Sequence, residues 1–310
     1  MTARIMVLDS GSFIGLAMMR QLAASDWAEP VPDSDGAAEH AGRLAAALAF
    51  CDGVVDCAMG SASKLTASAN ALAGALRNAP AGLRVVHVGS MAVYGSACGH
   101  ISETAPLRAD LGAYAAARID AECRLRAARP DITVIRPGIE YGPGGWLWSL
   151  RIAKLLAARR LGDLGAAGDG YCNLVHVDDV ALAAVRALRL SGARGATFNL
   201  SLPAPPTWNE YFTRFAVALR AVPVRRIGAR RQRIEAKLLA PPLKVLEIAA
   251  GKVGMTPGCL PSPIPASLWR LCGQDIRLDV RHAETVLGMV WRPLDAELQE
   301  CAASYRAALP

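Results

Sequence analysis

The stretch IMVLDSGSFIG, residues 5–15, constrains the fold more than any other part of the chain. Four strand-forming residues (Ile5, Met6, Val7, Leu8) run into a turn of small residues, and Phe13, Ile14, Gly15 and Leu16 open an apolar helix. Strand, tight turn and helix in this order form a unit whose backbone N–H groups and helix N-terminus cradle a pyrophosphate. Such a turn usually has glycines three residues apart. Aligned on Phe13-Ile14-Gly15, those positions hold Asp9, Ser12 and Gly15, with Gly11 as an extra point of flexibility. A Cβ at Ser12 hinders close approach to a phosphate, and Asp9 adds a negative charge and favours other backbone regions. A carboxylate about 5 Å from a phosphate costs roughly 1–3 kcal/mol at an effective dielectric of about 20 to 60. The turn is therefore expected to grip a dinucleotide poorly.

Beyond it the chain alternates. Helix 13–24 leads to a weak strand at 28–32, and Asp33 follows Gly15 by about the 20 residues at which an acid reaches an adenosine ribose. GAAEHAGRLAAALAF (36–50) reads as a helix and GVVDCAMG (53–60) as a buried strand. So short an interval leaves no room for a third strand at the usual place. Further strands are expected at 83–90, 132–138 and 196–201, helices at 62–78 and 111–128, a continuing helix at 154–162, and over 173–190 a short strand followed by a helix that Asp178 or Asp179 can cap. The fold class is α/β: a doubly wound, Rossmann-like parallel sheet over 1–201, and a smaller, mostly helical C-terminal substrate portion over 202–310 that does not fold independently.

Composition narrows the partners. The chain of 310 residues is 53% hydrophobic, enough for a large core. No apolar run of about 18 residues escapes a charge or a breaker, so no membrane span is expected. Eight cysteines without a CxxC pair read as reduced thiols in a cytoplasmic protein, with no metal site. The net charge of +7 is concentrated in VRRIGARRQRIEAK (224–237). That run is either a solvated helix face or a clamp for an anionic group. Nucleic acid is disfavoured, because no aromatic residues are interleaved with the charges.

Chemistry concentrates in HVGSMAVYGS (87–96) and AYAAARIDAE (113–122). Ser90 ends a parallel strand, at the sheet edge where α/β folds bind ligands. Tyr114 and Arg118, at i and i+4, share one helix face. A fixed cation one turn away favours the phenolate, so Tyr114 can exchange a proton while Ser90 holds a substrate oxygen.

SGSFIG, VGSMAVYG, ISETAPL, YAAARIDAE, VIRPGIEYGPG, GDGYCNLVHVDDVALA and HAETVLGMVWRP occur in this order along the chain. With these motifs the chain resembles the extended short-chain dehydrogenase/reductase family, the NAD-dependent epimerase/dehydratase group, over nearly its whole length. The resemblance implies that Ser90, Tyr114 and Arg118 are catalytic, with Arg118 in the place of the family's lysine. It implies a cofactor site at Asp9, Gly11, Ser12, Phe13, Ile14, Gly15, Asp33 and Pro137. Met91, Tyr141, Arg225 and Arg277 fall at substrate positions, and relatives often form homodimers through helices matching 62–78 and 111–128. Trp146 and Trp148, just after the YGPGG turn, read either as an aromatic wall of the substrate pocket or as core packing of a helix start. His176, Asp178, Asp179 and Glu103 are read as structural.

Three readings remain open. The first is proton-transfer chemistry (elimination, isomerisation, cyclisation or retro-aldol cleavage) on a hydroxyl or carbonyl of a small substrate, without hydride transfer; the altered turn and Arg118 make NAD(P) doubtful. The second is a conventional NAD(P)-dependent oxidoreductase, epimerase or dehydratase acting on a sugar nucleotide or small carbonyl. The third is a non-catalytic binding protein on the same fold.

Overall fold

Apolar runs separated by alanine-rich segments form alternating strands and helices in a computed structural model describing residues 2–33, 40–243, 245–246 and 263–308. In order these are β1 (Ala3–Leu8), α1 (Phe13–Ala23), β2 (Ala28–Pro32), α2 (Ala41–Leu48), β3 (Gly53–Asp56), α3 (Ala62–Leu76), β4 (Arg84–Val88) and β5 (Gly99–Ile101). Next come α4 (Ala113–Ala128), β6 (Thr133–Pro137), β7 (Ile139–Tyr141), α5 (Arg151–Ala157), β8 (Leu174–His176), α6 (Val177–Arg189) and β9 (Thr197–Leu200). The remaining elements are α7 (Trp208–Ala218), α8 (Ala229–Ile234), α9 (Ala266–Cys272), β10 (Ile276–Leu278), α10 (Arg281–Leu287) and α11 (Leu294–Ala307).

The chain divides into two units. The first comprises residues 1–140, 174–203 and 278–292. Its sheet has the order β2-β1-β3-β4-β6-β9, and every pair is parallel. The inner strands β3, β4 and β6 are buried along almost their whole length because helices cover both faces of the sheet. On one face Ile5, Val7, Val55, Val86 and Phe198 pack with Met18 and Leu22 of α1 and Val180 and Ala184 of α6. On the other, Met6, Leu8, Val54 and Val85 meet Leu44, Leu72, Leu76 and Leu125. Burying each leucine of this kind stabilises the fold by roughly 1.5–3 kcal/mol. β2 forms the sheet edge, and among the described residues no strand lies beyond it.

The second unit comprises residues 141–173, 204–277 and 293–310. Its core is aromatic: Trp208, Tyr211, Phe212 and Phe215 line one side of α7, and Trp148 lies 5.6 Å from Trp208. Thr207 and Glu210 close a capping box at the start of α7.

Some local expectations need correction. The helix expected to continue through 154–162 opens with a π-helical turn at Trp146–Leu150, but α5 stops at Ala157; Arg159 at φ 53° cannot continue it. The first turn of α6 is capped by His176, whose ring accepts the Asp178 N–H, and not by Asp178 or Asp179. Strands β5, β7 and β10 have three residues each, too few for an alternating pattern to show. Residues 36–39 of the helix expected at 36–50, part of the Pro/Gly stretch near 254–265, and Cys259 lie outside the described residues.

Candidate active site

The turn after β1 keeps its shape without its first two glycines. Asp9 sits at φ 55°, the left-handed conformation that a glycine would supply. Aspartate tolerates it when its short side chain is bonded locally. Here Met59 N–H donates to Asp9 Oδ2 at 2.9 Å, and Lys64 Nζ lies 3.1 Å from both carboxylate oxygens. Ser12 is the N-cap of α1: its Oγ accepts the Gly15 N–H at 3.1 Å. Gly15 is held to glycine by contact, since a Cβ there would lie 2.2 Å from the Asp9 carbonyl oxygen. Around Gly11 the space is open, with nothing within 4 Å of a built Cβ. Phe13 and Ile14 belong to the apolar core beneath the turn.

Asp33 ties the turn down from β2. Its carboxylate accepts Asp9 N–H at 3.0 Å, Ser10 N–H at 3.2 Å and the Ser10 hydroxyl at 2.7 Å. Pro137, at the far end of β6, is buried and lies opposite Leu200 of β9.

Ser90 follows β4 and caps a 3-10 turn at Met91–Tyr94, its Oγ accepting the Ala92 N–H at 3.2 Å. That turn packs against α4, which carries Tyr114 and Arg118. Met91 is buried, whereas Tyr114 is 40% exposed and open to a ligand. Arg118 is buried, donates Nε–H to Tyr114 Oη at 3.0 Å and Nη1–H to the Val88 carbonyl at 3.1 Å. A guanidinium only donates, so Tyr114 must aim its own proton elsewhere.

Four polar residues here escaped the sequence reasoning. Lys64 is one, a lone lysine in the first turn of a helix. Asp56 and His87 face each other across β3 and β4, His87 Nδ1 lying 2.8 Å from Asp56 Oδ2, both buried. Burial works against the charge on Asp56, but the His87 bond, the Ala58 N–H and Arg118 outweigh it and hold this carboxyl below the usual range. The signal was one polar residue at matching positions in two apolar strands. Glu140, in β7, is pushed up by burial, and Arg118 offsets this only partly. Cys57 is raised further, by burial and then by Asp56, Asp9 and Asp33. Glu103 plays the structural part expected of it, its carboxylate accepting Asn199 N–H at 2.9 Å.

The remaining candidates belong to the second unit. Tyr141 is fully buried, and Trp146 is 38% exposed. Arg277 stacks on Tyr171, 4.4 Å from the ring centre, and Arg225 is exposed, its carbonyl accepting Asp163 N–H. Among the described residues no cluster of His, Cys, Asp or Glu suits a metal ion, and no helix is long and apolar enough to cross a membrane.

Solved structures share this fold at low identity. UDP-glucuronic acid 4-epimerase from Bacillus cereus, in complex with UDP-glucuronic acid and NAD, is 14% identical with a TM-score of 0.72, covering 99% of this chain and 100% of its own. RMD from Pseudomonas aeruginosa, complexed with NADPH, is 17% identical with a TM-score of 0.70 over 99% and 100% of the two chains. WbmH from Bordetella bronchiseptica, in complex with NAD+, is 15% identical with a TM-score of 0.68 over 99% of each. No curated protein sequence matches the chain. The model of the NAD dependent epimerase/dehydratase family matches residues 11–201, from the turn after β1 to the end of β9. The chain, with its parallel six-stranded sheet, belongs to that family, the extended short-chain dehydrogenase/reductases.

Proposed function

We propose that the protein is an NAD(P)-dependent enzyme acting on a hydroxyl or carbonyl of a small substrate with an anionic handle, a sugar nucleotide being the best fit. The observation that carries this reading is the turn at 9–15. Its backbone keeps the left-handed first position and the tight contact at Gly15, and it leaves open space at Gly11. These features support a dinucleotide at the turn and weigh against the weak grip expected from the sequence. Asp33 beside the turn favours a free ribose hydroxyl, hence NAD over NADP. Relatives solved with NAD, NADPH or UDP-glucuronic acid support a nicotinamide cofactor and a sugar-nucleotide substrate.

When bound, the nicotinamide supplies hydride transfer; the protein supplies the rest. Ser90, whose Oγ takes the Ala92 N–H, has its own hydroxyl proton to offer a substrate oxygen. Tyr114 gives or takes the proton on that oxygen, and Arg118 orients the phenol by donating Nε–H to its Oη. Asp9, Ser12 and Gly15 shape the phosphate cradle, while Arg277 and Arg225 are candidates for the anionic handle.

A second reading, proton transfer without hydride, draws on one observation. Arg118 commits Nε to Tyr114 and Nη1 to Val88, which fixes its planar fork in one orientation, whereas a lysine ammonium turns freely toward a ribose. Calorimetric titration with NAD+ and NADP+ separates the two. Micromolar binding, together with nucleotide absorbance carried through purification, is expected. If neither dinucleotide binds, the hydride-based assignment fails.

A further inference from the structure

A negative residue at the head of a phosphate-binding turn ought to repel what the turn binds, and the surroundings deepen the problem. Asp9 and Asp33 straddle the turn, and Asp56 ends the neighbouring strand β3. Asp56 has His87 beside it, and Asp33 has the turn's own N–H groups. Asp9 has Lys64. The ammonium lies 3.1 Å from each carboxylate oxygen, with the lysine side chain 46% exposed and the aspartate 22%. Met59 N–H fixes the carboxylate from the other side.

We infer that Lys64 is the charge-compensating residue that makes this turn competent for a nucleotide diphosphate, taking over a task that glycine performs elsewhere by carrying no charge. The inference rests on the cofactor reading above and specifies which residue of this chain makes it workable. An exposed ion pair contributes little to stability, so a role in folding alone predicts almost no consequence for ligand affinity. Compensation predicts a large one. An uncancelled carboxylate about 5 Å from a phosphate corresponds to roughly a tenfold loss in affinity or more.

The test is a double-mutant cycle on NAD+ binding, measured by calorimetry for the wild type, Lys64→Met, Asp9→Asn and Asp9→Asn/Lys64→Met. Asparagine keeps an acceptor for Met59 N–H and tolerates the left-handed backbone, so the turn survives. Lys64→Met is expected to weaken binding about tenfold or more. The double variant is expected to return close to wild type, and the Lys64→Met deficit to shrink at about 1 M salt, where screening acts within ~3 Å. Wild-type affinity in Lys64→Met, or a deficit that persists in the double variant, overturns the inference while leaving the cofactor reading intact. Absence of NAD+ binding to the wild type overturns both.

Discussion

Tyr114 and Arg118 act as one unit: a spacing of four puts both on one helix face, and the hydrogen bond at 3.0 Å follows. Tyr114 is exposed and its side chain carries no core packing, so Tyr114→Phe is expected to leave the melting temperature unchanged and cut turnover by about 10²–10⁴-fold. Steady-state kinetics on a sugar nucleotide beside a thermal melt would check this, and full activity in the variant would remove Tyr114 from the chemistry. Asp9 shows where reading by residue stopped. Its charge and its backbone preference were visible, but the partner that offsets the one and anchors the other lies 55 residues away.

At the scale of elements, β3 and β4 meet in parallel and bring Asp56 opposite His87 in a buried pair. Asp56→Asn keeps the shape and removes the charge. Losing a hydrogen bond to a charged group costs about 1.5–3 kcal/mol, and the variant is expected to be destabilised on that scale at neutral pH. The sign with pH is definite. Because the folded protein holds this carboxyl below its ordinary value, its contribution is present above the unfolded value of about 3.9 and is lost as pH falls through the lowered folded value. Denaturant melts of both proteins should therefore converge as the medium is acidified. A gap unchanged down to about pH 2 would sink this account. The strands themselves were legible as apolar runs; their pairing was not, since crossover connections and not local pattern set which strand lies beside which.

For the molecule as a whole, many weak acids are buried in neutral form. Burial raises Cys57, Cys172, Cys272 and Tyr211, and it raises Cys301 to about 12. Each favours folding while protonated. That contribution is complete below the unfolded values, about 8.5 for cysteine and 10 for tyrosine, and is lost as pH rises beyond them. The melting temperature is expected to hold steady up to about pH 8.5 and to fall progressively above it. Differential scanning fluorimetry across that range decides the matter, and a flat profile to about pH 10.5 would contradict it.

The alternation of strands and helices, the shortened interval after Asp33 and the order of the family motifs were all fixed by residues near one another in the chain, because hydrophobic period and turn chemistry are local properties. What became of Asp9 was not. Whether its carboxylate would repel a phosphate or be neutralised depended on β1 and β3 lying side by side, which brings Met59 and Lys64, just past β3, to the turn after β1. An electrostatic outcome of that kind is set by distance in space, and only the folded chain decides it.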